Sequence, residues 1–241
     1  MHATALTNAE LFLKTYAPGP RPGLKVVEIG SQDVNGSLRQ FSPRGAEYVG
    51  VDFVEGKGVD MVLDDPYKLP FADASVDLVL SSSVLEHSEM FWILFTEVLR
   101  VLKPHGLFYL NVPSNGDFHQ YPVDCWRFYP DSGQALVKWA RRCGFNAELL
   151  ESFVSAQWVD DWNDFVAVFI KDAAQADRYP ARMLDSKKDY FNGRVLGKPA
   201  LLRHRGQTED QMKLDFLKGL CGLKAPRSRY WLARFMLGIW R

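Results

Sequence analysis

Lys25-Val-Val-Glu-Ile-Gly30 decides how the rest of this chain is read. Val26, Val27 and Ile29 fit a short strand covered on both faces, as in a parallel sheet flanked by helices. Glycine at the carboxyl end of such a strand lets a ligand approach the backbone, because no Cβ stands in the way. A second strand ends on an acid at Glu47-Tyr-Val-Gly-Val-Asp52. The gap from Gly30 to Asp52 is the one that separates a nucleotide-binding turn from the carboxylate that accepts ribose hydroxyls. The two strand ends therefore predict a nucleoside pocket.

Outward from this pair, strands and helices alternate. Strands are expected over 58–63, 76–80, 107–112, 146–153 and 164–170, and helices over 4–16, 88–102 and 132–142, with a helix starting at 37–41. Pro18, Pro20 and Pro22 stop the first helix, and Pro104 and Gly106 end the one that begins near Ser88. Phe91, Leu94, Phe95, Val98, Leu99 and Leu102 recur at three and four, a buried helical face. Alternation at this spacing predicts an α/β, doubly wound sheet. Three parts are expected: an N-terminal helix and linker over 1–22, the sheet domain over 23–171, and a basic extension of helices and loops over 172–241, where no strand pattern is visible.

The totals narrow the class. The chain has 241 residues, 47% of them apolar, enough for a packed core. Net charge is zero, yet residues 1–180 carry 15 Lys/Arg against 24 Asp/Glu, and residues 181–241 carry 14 against 5. That asymmetry predicts a tail docked on an acidic body or facing an anionic partner. Cys125, Cys143 and Cys221 form no CxxC pair, which argues for a reducing compartment. The first ten residues lack a basic and then apolar leader, and no stretch reaches membrane-spanning length, so a cytoplasmic location is expected.

The cofactor follows from the first turn. Gln32 stands where a dinucleotide fold carries its second glycine, which argues against NAD or FAD, and no P-loop pattern occurs. Four stretches in order, VVEIGS (26–31), YVGVD (48–52), DDPYKLPFADASVDLVLSSSVLEH (64–87) and EVLRVLKPHGLFYLNVP (97–113), resemble the class I S-adenosylmethionine-dependent methyltransferases. That resemblance implies a Rossmann-like seven-stranded sheet of order 3-2-1-4-5-7-6 with strand seven antiparallel. It implies S-adenosylmethionine as cofactor and S-adenosylhomocysteine as product. Glu28, Gly30 and Ser31 would line the methionine part, with Ser81 near its amino-acid end. Asp52, with Phe53 beside it, would take the ribose, and Asp65, with Asp64 as a second candidate, the adenine amino group.

On the acceptor side, His87 follows Glu86 at the mouth of strand four, and the loop 115–129 carries His119, Tyr121, Asp124, Trp126, Arg127 and Tyr129. His119 is the preferred general base and His87 the second choice. Tyr121, Asp124, Trp126 and Arg127 suit a polyhydroxylated acceptor, although an Arg127–Asp124 pair is an equally good structural reading. The predicted activity is O-methylation of a sugar or another intermediate of glycan or natural-product biosynthesis. Methyl transfer to carbon or nitrogen of a lipid-like or aromatic acceptor is the alternative, and a non-catalytic cofactor-binding scaffold is the rival from another class. No metal is expected, because Asp64 and Asp65 have no histidine at ligand spacing. Residues 225–241, rich in aromatics and arginine, predict a dimer contact or peripheral attachment to the inner face of the membrane. Nucleic acid is not expected.

Overall fold

The computed structural model describes residues 2–157 and 160–222, so the aromatic, basic stretch 225–241 lies outside the described residues. Contacts divide the chain after His204 into two compact units. The first is built on an eight-stranded sheet of order β3-β2-β1-β4-β5-β7-β6-β8. Its strands are β1 (Lys25–Ile29), β2 (Glu47–Asp52), β3 (Met61–Val62), β4 (Val76–Ser82), β5 (Leu102–Pro113), β6 (Glu148–Ser155), β7 (Asp164–Ile170) and β8 (Tyr190–Val195). β3 to β5 pair in parallel, while β7 runs antiparallel to both β5 and β6.

The helices of this unit are α1 (Ala3–Tyr16), α2 (Phe91–Val101) and α3 (Ser132–Arg142). Side chains alternate along β1, so Val26 packs with α1 on one face while Val27 and Ile29 pack with α2 and α3 on the other. α2 starts three residues later than its apolar pattern predicts. Residues 84–88 instead close turns through His87 N–H to Val84 O (2.9 Å) and Ser88 N–H to Leu85 O (3.3 Å). That irregular stretch carries Glu86 and His87 at the mouth of β4.

Two expectations are corrected here. The sheet has eight strands rather than seven, because Tyr190–Val195 pairs antiparallel with β6 in a stretch expected to hold only helices and loops. Asn192, at φ +51°, and Gly193 interrupt its alternation, so it lacks a strand pattern in sequence. Nor is α1 an appendage to a domain beginning at residue 23. Phe12 packs on Tyr109 of β5 with ring centroids 4.7 Å apart. Tyr16 donates to the fully buried Glu151 carboxylate (2.6 Å), which also accepts from Met183 N–H (2.7 Å) and Leu184 N–H (3.1 Å). One buried acid thus joins α1, β6 and the segment leading to β8, and each bond removes a desolvation penalty.

The second unit contains α4 (Glu209–Leu220). Thr208 caps it by accepting from Gln211 N–H (3.2 Å), and Glu209 and Asp210 complement the positive end of its dipole. No described helix is long and apolar enough to cross a membrane.

Candidate active site

The carboxyl ends of β1, β2 and β4 open into a cleft of about 880 Å³. That volume suits a cofactor together with a small acceptor. One part of its lining comes from the first two strand ends: Gly30, Gln32, Asp52, Phe53, Asp64 and Tyr67. Another comes from the β4 mouth and the loop after β5: Ser82, Ser83, Glu86, His87, His119 and Tyr121. Trp162 and His2 also contribute.

Gly30 sits at φ +75°, a left-handed conformation that glycine adopts without strain. Its N–H and that of Ser31 both donate to Val51 O (2.9 and 3.2 Å), which draws the turn against the end of β2. Asp52 is buried, 6% exposed, with its carboxylate turned inward on the same turn. Oδ1 accepts from Phe53 N–H (2.8 Å) and Val54 N–H (3.4 Å), and Oδ2 from Gln32 N–H (3.1 Å), which leaves Oδ2 an acceptor direction for a cleft occupant. Gln32, in the place of a glycine, accepts from the Tyr121 hydroxyl (2.7 Å), so the first turn and the 115–129 loop are tied across 89 positions of sequence.

The predicted cofactor residues divide into two groups. Gly30, Asp52, Phe53 and Asp64 line the cleft. Asp65 does not; its Oδ1 accepts from Tyr67 N–H (2.8 Å) in a local turn. Ser31 and Ser81 are buried behind the lining, where Ser82 and Ser83 stand instead. Glu28 is 1% exposed and faces away from the cleft lining, accepting from the Tyr48 hydroxyl (2.7 Å). Burial pushes its carboxyl up to about 7, against the opposing pull of Tyr48, the Leu38 N–H and Arg39.

That shift gives a stability prediction. Between about pH 4.5 and about 7 the folded chain holds a proton on Glu28 that the unfolded chain has released. This contribution therefore weakens the fold as pH rises through the window and is level above it. Glu28→Gln keeps the acceptor for Tyr48 and removes the titration. Urea unfolding at pH 4.5, 5.5 and 7.5 is expected to give a shallower pH slope in the variant, by up to about 3 kcal/mol across the window. Parallel slopes would show that Glu28 is ionised throughout.

On the acceptor side, His87, His119 and Tyr121 reach the cleft, and Asp124, Trp126 and Arg127 do not. Arg127 donates to both Asp124 oxygens (2.6 and 2.8 Å) and to Asp117 O (2.7 Å), so the structural reading of this pair is the observed one. With Arg127 and the His119 N–H (2.8 Å) on it, the Asp124 carboxyl is held down to about 2. Trp126 donates to Ser88 O (3.0 Å) and packs edge-on against Phe91. These three residues shape the loop that presents His119.

The rings of His87 and His119 meet edge to face with centroids 5.0 Å apart, and His119 meets Trp162 at 5.3 Å. Burial keeps the His87 imidazole below its usual range, hence neutral at pH 7. Glu86 is buried beside them, and burial, then the Asp164 and Asp124 charges, push its carboxyl up to about 8 against the pull of Arg127. Glu86, His87 and His119 thus form a cluster of potential metal ligands. No spacing in the sequence shows it, because 31 residues separate the two histidines. Trp162 carried no signal as a cleft residue, whereas the place of Gln32 in the first turn and of Glu86 at the β4 mouth hinted at theirs.

Residues 29–110 match the family model described as a methyltransferase domain. A Mycobacterium tuberculosis protein named an uncharacterized methyltransferase is 35% identical over 119 residues, 45% of this chain and 46% of that protein. The biotin biosynthesis bifunctional protein BioHC of Cellvibrio japonicus is 32% identical over 114 residues, 43% of this chain and 22% of its own. The chain spans about half the length of the first of these curated relatives. Among solved structures, the 1,6-didemethyltoxoflavin-N1-methyltransferase of Burkholderia thailandensis superposes with a TM-score of 0.54 at 16% identity, over 70% of this chain and 78% of that one. That last likeness concerns the fold alone. The four sequence stretches, the strand order and the family model matched over residues 29–110 thus agree in making this part of the chain similar to a methyltransferase domain.

Proposed function

We propose that the protein is an S-adenosylmethionine-dependent methyltransferase acting on a hydroxyl of a small polar acceptor, of the kind found in sugars and in glycan or natural-product intermediates. The observation that carries this reading is one continuous cleft. It joins Gly30 and Asp52, fitted to a nucleoside, to His87, His119 and Tyr121, fitted to a hydroxyl-bearing partner. The residues suit that cofactor. Asp52 offers acceptor capacity for the ribose, Asp64 borders the same cleft for the adenine amino group, and Gly30 lines it at a left-handed turn. When bound, the cofactor supplies an electrophilic methyl group.

The chain's own part is to hold, align and dry. Tyr121, tied to Gln32, covers the cleft, and Trp162 and Pro122 add apolar lining. The imidazole of His87 or His119 is the proton acceptor on the hydroxyl side, with His119 preferred as the more exposed of the two. Calorimetry with S-adenosylhomocysteine tests the cofactor half, and product mass after incubation with S-adenosylmethionine and a panel of sugars tests the other. Binding with no transfer to any acceptor class favours the scaffold reading. Transfer confined to carbon or nitrogen acceptors removes the hydroxyl assignment.

A further inference from the structure

On the wall of the cleft, Glu86, His87 and His119 each bring one donor atom into a group whose members lie within 4.8 Å of one another. Both rings are held in the same sense. His87 Nδ1 lies 2.5 Å from Val123 O, and His119 Nδ1 lies 3.0 Å from Asp117 O. A carbonyl oxygen only accepts, so each ring carries its proton on Nδ1 and offers the lone pair of Nε2. Arg127 Nη2 approaches His119 Nδ1 only at 3.4 Å, since its short bonds go to Asp124 and Asp117. An Nδ1–H on a backbone carbonyl is the arrangement that fixes and strengthens an imidazole as a metal ligand.

Glu86 supplies the independent observation. The residue is 1% exposed, and its Oε2 has no hydrogen-bond partner among the described residues. A buried carboxyl oxygen without a partner is an unmet acceptor, and a cation that displaces the proton of the group would satisfy it. Oε1 already lies 3.8 Å from His87 Nε2. Among the described residues, nearby Asp124 is paired with Arg127, and buried Asp164 faces the His2 ring at 3.2 Å.

We propose that Glu86, His87 and His119 form a binding site for one divalent transition-metal cation of the zinc class, open toward the cleft. Two imidazole nitrogens and one carboxylate are borderline ligands that suit zinc or cobalt better than magnesium, which prefers oxygen alone. Three protein ligands leave a position for a cleft occupant. Bonds of about 2.1 Å set ligand atoms roughly 3.4 Å apart around a tetrahedral ion, so loading draws the group inward by about an ångström. His119, on a loop and 40% exposed at its side chain, can supply that movement. The role of the ion in turnover rests on the methyltransfer reading above: in place of a free imidazole base, it would lower the pKa of an acceptor hydroxyl bound to it, whose proton would pass to water. Its binding does not rest on that reading.

The test uses the full chain, stripped with a chelator, then titrated with Zn²⁺ by calorimetry and with Co²⁺ by visible absorption. One ion per chain is expected. His119→Ala and Glu86→Gln are each expected to weaken Zn²⁺ binding by at least about 100-fold, more than loss of a supporting contact gives. Circular dichroism and S-adenosylhomocysteine binding check that each variant is folded, and Glu86→Gln preserves the shape of the buried side chain. No stoichiometric Zn²⁺ binding overturns the site. Binding equal in the wild type and both variants also overturns it, and would place the ion on exposed Cys125, Cys143 or Cys221. A chain that binds S-adenosylhomocysteine but not Zn²⁺ ends this inference alone; one that binds Zn²⁺ but not S-adenosylhomocysteine ends the methyltransfer reading alone.

Discussion

Asp52→Asn is expected to weaken S-adenosylhomocysteine binding by about 10²- to 10³-fold, in a protein that still folds. A carboxylate accepting both hydroxyls of a ribose makes two charge-assisted bonds, each worth roughly 1.5–3 kcal/mol. Losing the charge and one acceptor removes about 3–4 kcal/mol, and each 1.4 kcal/mol is tenfold in affinity. The choice of Asn over Ala follows from the structure. Asp52 is 6% exposed and accepts from the Phe53, Val54 and Gln32 N–H groups. Alanine would orphan those donors and mix a folding defect into the binding result. Asparagine keeps the volume and one acceptor oxygen; its amide turned toward one N–H costs about 1–2 kcal/mol of stability. Calorimetry well below the melting temperature of the variant reads the affinity. A dissociation constant within about threefold of wild type would remove Asp52 from the cofactor site.

How far the chain could be read without coordinates follows the range of each signal. β1, β2 and their acids are local patterns of a few residues, and those strands stand where the pattern put them. Strand order was legible through four stretches in register. β8 was not, because Asn192 and Gly193 break its alternation and its pairing partner lies about 40 residues upstream. In the site, neighbours defeated the reading: Asp64 lines the cleft while Asp65 turns back on its own loop, and Ser82 lines it while Ser81 is buried. A shift of one residue along a strand exchanges faces, which a motif without coordinates does not resolve. The 115–129 loop was legible as a collection of useful side chains but not as a hierarchy. Asp124, Trp126 and Arg127 build the loop, and His119 and Tyr121 are what it presents. The Glu86–His87–His119 group depends on that loop folding back over the β4 mouth, where Cys125 and Trp126 N–H groups donate to Glu86 O (2.8 and 3.2 Å).

Gly30→Ala is expected to destabilise the fold by about 2–5 kcal/mol, and Val84→Ala is expected to restore only part of the loss. Two separable effects act at this position. Its φ of +75° is left-handed, which costs an L-residue roughly 1–2 kcal/mol. An added Cβ would also collide with Val84 Cγ2, and overpacking of that kind costs about 1–3 kcal/mol. In the double variant the offending methyl is gone, and the new Cβ meets only Val84 Cβ at 3.4 Å, an ordinary contact. The left-handed strain stays. Urea unfolding of the wild type, both single variants and the double variant should therefore show a favourable coupling of about 1–3 kcal/mol between the sites. Additive losses would mean that the turn moves aside and that the contact with Val84 is not what selects glycine. The same four proteins separate folding from binding. Gly30 and Val84 both line the cleft, so in the double variant the fold is partly recovered while a Cβ is still added to the cleft lining. We expect that variant to bind S-adenosylhomocysteine more weakly than Val84→Ala alone by at least about tenfold, corresponding to roughly 1.4 kcal/mol. Equal affinity would assign Gly30 to the turn between β1 and the cleft and leave the ligand no claim on it.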